Sequence, residues 1–223
     1  MSPAPRVIDS VTVERAVEDL TVGIVIARDC RTTPAPPELS TAIDAAVADA
    51  KSRQAVASIT GPVRDMLRHG TYKPTGRGKP ASEYLHSAAL EDRFPRINNL
   101  VDINNLVSLR SLLPISLIDL MHADRNQFVV RRGRASESYV FNAAGQTIGL
   151  QDLIVVARLP EDEACATPVK DSMATKLDDR STAVMAVIFA PSALGSALAR
   201  ATEAFEDASK AWGGATKTAR AIV

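Results

Sequence analysis

Two cysteines and three histidines are all that this chain of 223 residues holds of either type. Cys30 and Cys165 cannot build a disulfide framework, and neither sits in a CxxC or near a histidine at zinc-ligand spacing. His69, His86 and His122 lie in no motif that pairs them with a nucleophile, and the patterns HExxH and GxSxG are missing. Clustered histidine and carboxylate ligands are missing too, so no metal and no cofactor is expected. No glycine loop of the GxGxxG or GxxxxGK kind is present to cradle a phosphate. No apolar run approaches the ~18 residues of a membrane span. The opening Met1-Ser2-Pro3-Ala4-Pro5-Arg6 has no signal-peptide core. The expectation is a cytoplasmic protein, away from membranes, with both thiols reduced. Net charge is zero, 26 basic against 26 acidic side chains. Long-range charge alone therefore cannot hold a polyanion, and no DNA partner is expected. An enzyme on this chain would have to position a water and stabilise charge rather than use a strong side-chain base.

What is present is ordinary globular material, 46% hydrophobic and 23% charged, long enough to bury a core. The charge is uneven. Gly61 to Lys79 holds Arg64, Arg68, Lys73, Arg77 and Lys79 against Asp65 alone, and Arg131, Arg132 and Arg134 form a second basic cluster. Each cluster is either a solvated surface or a local contact for RNA.

The pattern predicts helices first, then strands, then a helix. Residues 1–10 read as a loose leader, and Val22 to Ala27 as a buried strand. A helix starts at Pro36-Pro37 and runs past Arg53, with Leu39, Ile43, Val47 and Ala50 on one face. Gly61-Pro62 restarts the chain into a short helix, and 70–80 is a loop rich in glycine and proline. A short helix follows from about Ser82, and a central helix spans Val101 to about Leu113 before Pro114. Short strands are expected over 115–120, 127–131, 137–142, 147–150 and 153–156, with a hairpin connection at 143–146. A last strand covers Ala183 to Ala190. Ser192 caps a final helix that buries Leu194, Leu198, Ala201, Phe205 and Trp212, and Gly213-Gly214 ends it. That order predicts α+β, a mostly antiparallel sheet with N-terminal helices and a C-terminal helix, as a single domain over 1–223.

The most informative stretch is Arg93 to Arg110. It sets Asp102, Asn98, Asn99, Asn104, Asn105 and Ser108 among apolar residues. A polar group entering a core costs a few kcal/mol unless it is hydrogen-bonded. Such a run is either a satisfied structural network or the wall of a ligand pocket. Farther on come Ser136-Glu137, Thr167-Pro168-Val169-Lys170-Asp171-Ser172 and the apolar strand ending at Pro191. In order and spacing these resemble the B3/B4 module of the bacterial phenylalanyl-tRNA synthetase β subunit, and still more its free-standing relatives. The resemblance covers roughly Gly70 to Pro191, and includes Tyr72-Lys73-Pro74-Thr75 and Ser82-Glu83-Tyr84-Leu85.

That module is the synthetase's editing domain, so the resemblance implies a trans-acting deacylase for mischarged aminoacyl-tRNA. Its pocket surrounds the aminoacyl group with backbone and a few polar side chains, without a nucleophile. In the family's Val-Asp-x-Thr-Asn motif the last pair lines the pocket. Here Val101-Asp102-Ile103-Asn104-Asn105 puts Asn104 and Asn105 there, while Asp102 caps the helix or ties it to a loop. Where the family reads a tyrosine hydroxyl with a histidine and a glutamate, this chain has Ser116 and Met185. A site without those bonds does not discriminate by them, so tyrosine specificity is not expected. Glu137 either pins a strand end or an arginine, or acts on the substrate. Asp171 is the preferred partner of the ligand's α-amino group, unless it and Ser172 only form a turn. Lys73, Arg77 and Lys79, with Arg131 and Arg132, are the candidate tRNA contacts. No aromatic interleaving marks that segment for base stacking. The alternatives are a non-catalytic binder of an amino acid or tRNA that keeps the cavity, and an enzyme on a small amino-acid ester or amide. Synthetase activity itself is excluded by the missing aminoacylation core.

Overall fold

The computed structural model describes residues 5–53 and 56–223. Its strands are β1 (Arg6–Ile8), β2 (Val11–Arg15), β3 (Leu20–Arg28), β4 (Ile115–Asp119), β5 (Gln127–Arg132), β6 (Ser138–Val140), β7 (Thr147–Gly149), β8 (Ile154–Arg158), β9 (Glu163–Ala166), β10 (Ala183–Pro191) and β11 (Lys217–Ile222). Its helices are α1 (Pro37–Ser52), α2 (Ala57–Leu67), α3 (Ala81–Leu90), α4 (Asn99–Ser111), α5 (Leu120–Ala123) and α6 (Gly195–Trp212). The architecture is α+β, as the order of patterns predicts.

Two sheets and a helical layer stack on one another. One sheet runs β1-β2-β5-β8-β9, antiparallel except where β2 lies parallel to β5. The other, β11-β3-β10-β4, is antiparallel throughout. Strands β3 and β10 read as unbroken apolar runs because both of their faces are covered. Ile24, Ile26, Met185, Val187 and Phe189 pack toward the five-stranded sheet, with Val13, Phe128, Val130 and Val156. Val25, Ala27, Val184, Ala186 and Ile188 pack toward Leu39 and Ile43 of α1, Ile103 and Leu106 of α4, and Leu198 and Phe205 of α6. Each fully buried Leu, Ile or Phe contributes about 1.5–3 kcal/mol. Gly23 in β3 lets α6 approach closely, since a Cβ there would lie 2.1 Å from Thr202 Oγ1.

Several boundaries differ from the sequence pattern. The leader is structured from Arg6, where β1 pairs with β2, although residues 1–4 of it lie outside the described residues. Helix α2 passes through Gly61-Pro62 without restarting. Ser192 opens a 3-10 turn instead of capping α6, which begins at Gly195 with no side-chain cap. Strands β2, β9 and β11 are additional to those read from the pattern. They are short or carry few consecutive apolar residues, and long-range pairing defines them.

The central helix begins two residues early because Asn98 caps it, its Oδ1 accepting from Val101 N–H at 3.0 Å. Asp102 accepts from Ile97 N–H at 2.9 Å, which ties the helix to its entry loop. Leu112, in the left-handed region at φ 60°, ends the helix ahead of Pro114.

Candidate functional site

A cleft of about 1590 Å³ opens where α3, α4, β4, the β6–β7 hairpin and the 167–177 segment meet. Strand alternation decides what β4 shows it: Ile115 and Leu117 line the cleft, and the side chain between them points the other way. Helix α4 supplies Val101, Asn104 and Asn105. The 76–79 loop supplies Arg77 and Lys79, and the hairpin supplies Phe141, Gln146 and Ile148. The hairpin is fastened over the cleft by Tyr139, whose hydroxyl donates to Lys170 O at 2.5 Å.

Strand β4 is the outer strand of its sheet, so its free edge needs partners. The 167–171 segment provides them. Ser116 Oγ donates to Thr167 O at 2.9 Å, and Leu117 N–H donates to Asp171 Oδ2 at 3.1 Å. Burial pushes the Asp171 carboxyl up to about 6, against the lowering effect of the Leu117 N–H and the Ser116 hydroxyl. Its other oxygen, Oδ1, is out of solvent and has no hydrogen-bond partner, and Asn104 Oδ1 is in the same state. Asn104 Nδ2 donates to Asn105 Oδ1 at 3.4 Å. The cleft thus holds two buried acceptors with nothing donating to them. Such groups cost about 1–3 kcal/mol each when left unpaired, and a ligand with several N–H donors would satisfy them.

The cleft is also more basic than the protein. Arg77, Lys79, Arg93, Lys170 and Lys176 line it, against Glu91 and Asp171. Glu91 is itself paired with Arg93 at 2.6 Å. Lys170 Nζ sits 3.9 Å from the centre of the Phe141 ring, and Arg93 lies 5.8 Å from that of Tyr84.

Residues 74–210 match the family model of the B3/4 domain. The chain belongs to that family. No curated protein matches it. The family match covers α3 to α6 and so contains every element of the cleft, while β1, β2 and β3 precede it.

Of the residues the sequence singles out for a ligand, this B3/4 domain brings Asn104, Asn105 and Asp171 into the cleft. Four others lie elsewhere. Ser116 is wholly buried behind the 167–171 segment, because its strand neighbours take the cleft side. Met185 pairs with Ile118 and Ile26 in the core between the sheets; Val184 and Ala186, on the other face of β10, are the ones directed at the helices. Ser172 is buried and accepts from Ala174 N–H at 3.1 Å, capping a 3-10 turn. Glu137 accepts both guanidinium bonds of Arg131, at 2.8 and 3.0 Å, and Arg134 N–H at 2.8 Å. Of the two readings of Glu137, this is the structural one.

The basic candidates divide in the same way. Lys73, Arg77 and Lys79 are at the surface, and among the described ion pairs none involves them. Arg131 is buried between Glu137 and Asp162, and Arg132 donates to the carbonyls of Met66 and Asp152 at 3.0 and 3.2 Å. Neither guanidinium is presented to a polyanion, because each neutralises or caps groups inside the chain.

Sequence reasoning missed the hairpin as a cleft wall, together with Tyr84, Arg93 and Lys170. Nothing in the sequence brings Phe141 to Lys170.

Proposed function

We propose that this B3/4 domain is a trans-acting editing enzyme that hydrolyses mischarged aminoacyl-tRNA. The observation that carries the reading is the pair of unpartnered buried acceptors, Asp171 Oδ1 and Asn104 Oδ1, on one cleft wall. An α-ammonium brings three donors and no acceptor, and a carboxylate partner makes the bond charge-assisted. With the amino group held there, Val101, Ile115 and Leu117 offer an apolar surface to the amino-acid side chain. No histidine or glutamate lines the cleft to read a phenol, apart from Glu91, which Arg93 engages. Tyrosine is therefore not the preferred cargo. Arg77 and Lys79 line the cleft and exposed Lys73 precedes them by a few residues, offering cations to the phosphates of an acceptor end. The ester is already activated, and the vicinal ribose hydroxyl assists attack by one positioned water. Residues 1–223 act as one unit in this reading, supported by the pairing of β3 with β10 along its whole length. A cytoplasmic location goes with the substrate, and no described helix is long and apolar enough to cross a membrane.

A second reading is a binder of aminoacyl groups or tRNA that performs no chemistry. It is favoured by the absence of any histidine or thiol from the lining, and by burial that pushes the Cys165 thiol up to about 12. Single-turnover deacylation of a panel of mischarged tRNAs separates the two. Hydrolysis of a subset, lost in Asp171→Ala and in Asn105→Ala, supports the enzyme. Binding without hydrolysis across the panel sinks it and leaves the binder.

A further inference from the structure

At the end of β4, outside the cleft, Asp178 comes from a distant segment to meet two side chains one helical turn apart. Asp119, His122 and Asp178 each bring one donor atom within 4.8 Å of the others. His122 lies 3.5 Å through Nδ1 from Asp119 Oδ2, and 3.5 Å through Nε2 from Asp178 Oδ2. Its Nδ1 is also 2.8 Å from the carbonyl oxygen of Lys176. A proton on Nδ1, donated to that carbonyl, fixes the ring and leaves the Nε2 lone pair on the Asp178 side. A backbone carbonyl behind the ring is the usual support of a metal-bound histidine.

Asp119 gives an independent reason to expect a cation. It is only 1% exposed, and among the described ion pairs it has no lysine or arginine. Its Oδ1 accepts the Met121 and His122 N–H groups that open α5, and its Oδ2 accepts the Ser181 hydroxyl. Those bonds orient the carboxylate without neutralising it, and buried charges are ordinarily paired or coordinate a metal. His122 and Asp178 are about one-third exposed, which leaves an ion a way in from solvent.

We propose that Asp119, His122 and Asp178 form a binding site for one divalent ion of the zinc class. One imidazole and two carboxylates are a mixed donor set that suits such an ion, whereas calcium or magnesium would want oxygens alone. Metal–donor lengths of about 2.1 Å require donors roughly 3–4 Å apart; Asp178 Oδ2 already stands 3.5 Å from Nε2, and a small turn of the imidazole brings Nε2 within reach of Asp119 as well. The bound ion would join the end of β4 to the 173–178 segment, which carries Lys176 and Leu177 into the cleft. Its function is to hold that wall.

The test is equilibrium dialysis of the chelator-stripped full chain against zinc, and visible absorption on addition of cobalt. One equivalent of zinc bound, with a cobalt d–d band, is expected. His122→Ala and Asp178→Asn should each weaken zinc at least tenfold and remove the band. Neither side chain is in the core, and unchanged circular dichroism verifies each fold. Asp119 is left intact because it caps α5. No binding by the wild type overturns the proposal. So does equal binding by folded His122→Ala, which would place the ion on His69, His86 or the chain terminus. Calcium binding without zinc binding overturns the assigned metal class.

Discussion

Asp171 faces two ways: its Oδ2 accepts the Leu117 N–H of an edge strand at 3.1 Å, while its Oδ1 meets no donor. Burial raises the carboxyl from 3.8 to about 6. Between those values the folded chain keeps a proton that the unfolded chain has released. Stability therefore falls as pH rises through this window, and the full cost, on the order of 3 kcal/mol, persists above it. Asp171→Asn keeps an acceptor for Leu117 and removes the ionisation. The variant should melt higher than the wild type near neutral pH, and the two melting curves should converge toward pH 4. Ligand binding should weaken at least tenfold at the same time, because a neutral amide replaces the ammonium's counter-charge. Thermal denaturation across pH checks the first half and titration with an aminoacyl analogue the second. A wild type that melts independently of pH over this window would refute the account of Asp171.

The four asparagines of the 98–105 stretch divide cleanly in the fold. Asn99 is 1% exposed and fully used: Nδ2 donates to Arg31 O and Trp212 O at 2.9 and 2.8 Å, and Oδ1 accepts Thr33 N–H at 2.9 Å. Asn99→Ala should destabilise the chain by about 3 kcal/mol, since it strands three backbone groups. Asn104→Ala should leave the melting temperature unchanged or raise it, because an unpaired acceptor is lost, while ligand affinity drops several-fold. Measuring both properties for both variants distinguishes scaffold from site.

Arg131 is held by two carboxylates. Its guanidinium contacts Glu137 at 2.8 Å and Asp162 at 2.6 Å, at the junction of β5 with the β8–β9 turn. Arg131→Ala leaves Glu137 half-buried without a cation, while Asp162 keeps Arg134, and this should cost about 3 kcal/mol. Truncating Glu137 should also destabilise, with no change in ligand selectivity of the protein that remains folded. Urea unfolding at neutral pH checks this. Below the usual carboxylate range the Arg131→Ala deficit should shrink, because both acids are then neutral.

Lys73, Arg77 and Lys79 are predicted to act by charge at a distance from the chemistry. Their triple replacement by alanine should weaken tRNA binding. It should also flatten the salt dependence, by about 0.7–0.9 in log–log slope for each phosphate that is no longer neutralised. Melting temperature should stay within a degree or two. Retained affinity with the wild-type slope would remove this patch from the reading.

The difference between what the sequence tells and what it hides has a physical origin. Apolar periodicity marked β3, β10, α1 and α6, because those elements bury large faces whose pattern is local. The family's motif order located Asn104, Asn105 and Asp171 because motif spacing follows the chain through the cleft-forming elements. Polar side chains without a period were harder. Ser116 and Asp171 both read as site residues, yet one lies behind a loop and the other in the cleft. The choice rests on which face of β4 is covered, a fact of tertiary packing. Arg131 and Lys79 likewise look alike in sequence. Only the fold shows that one already has two acids.

Met185 gives the sharpest test of carrying family roles over position by position. It occupies the place where the resemblance puts a phenol-reading glutamate, and Ser116 occupies that of the histidine. Here Met185 is wholly buried between the two sheets, beside Ile26 and Ile118. Met185→Glu would put a carboxylate into that core with no cation among its neighbours in register. The cost should exceed about 4 kcal/mol, a large share of the stability of an ordinary domain. Met185→Leu conserves volume and should cost less than about 1.5 kcal/mol. Both variants, alone and with Ser116→His, should leave tyrosine unselected over phenylalanine in any ligand assay. A stable Met185→Glu, Ser116→His variant with a preference for tyrosine would show that both positions reach the cleft and would overturn the assignment of β10's inward face.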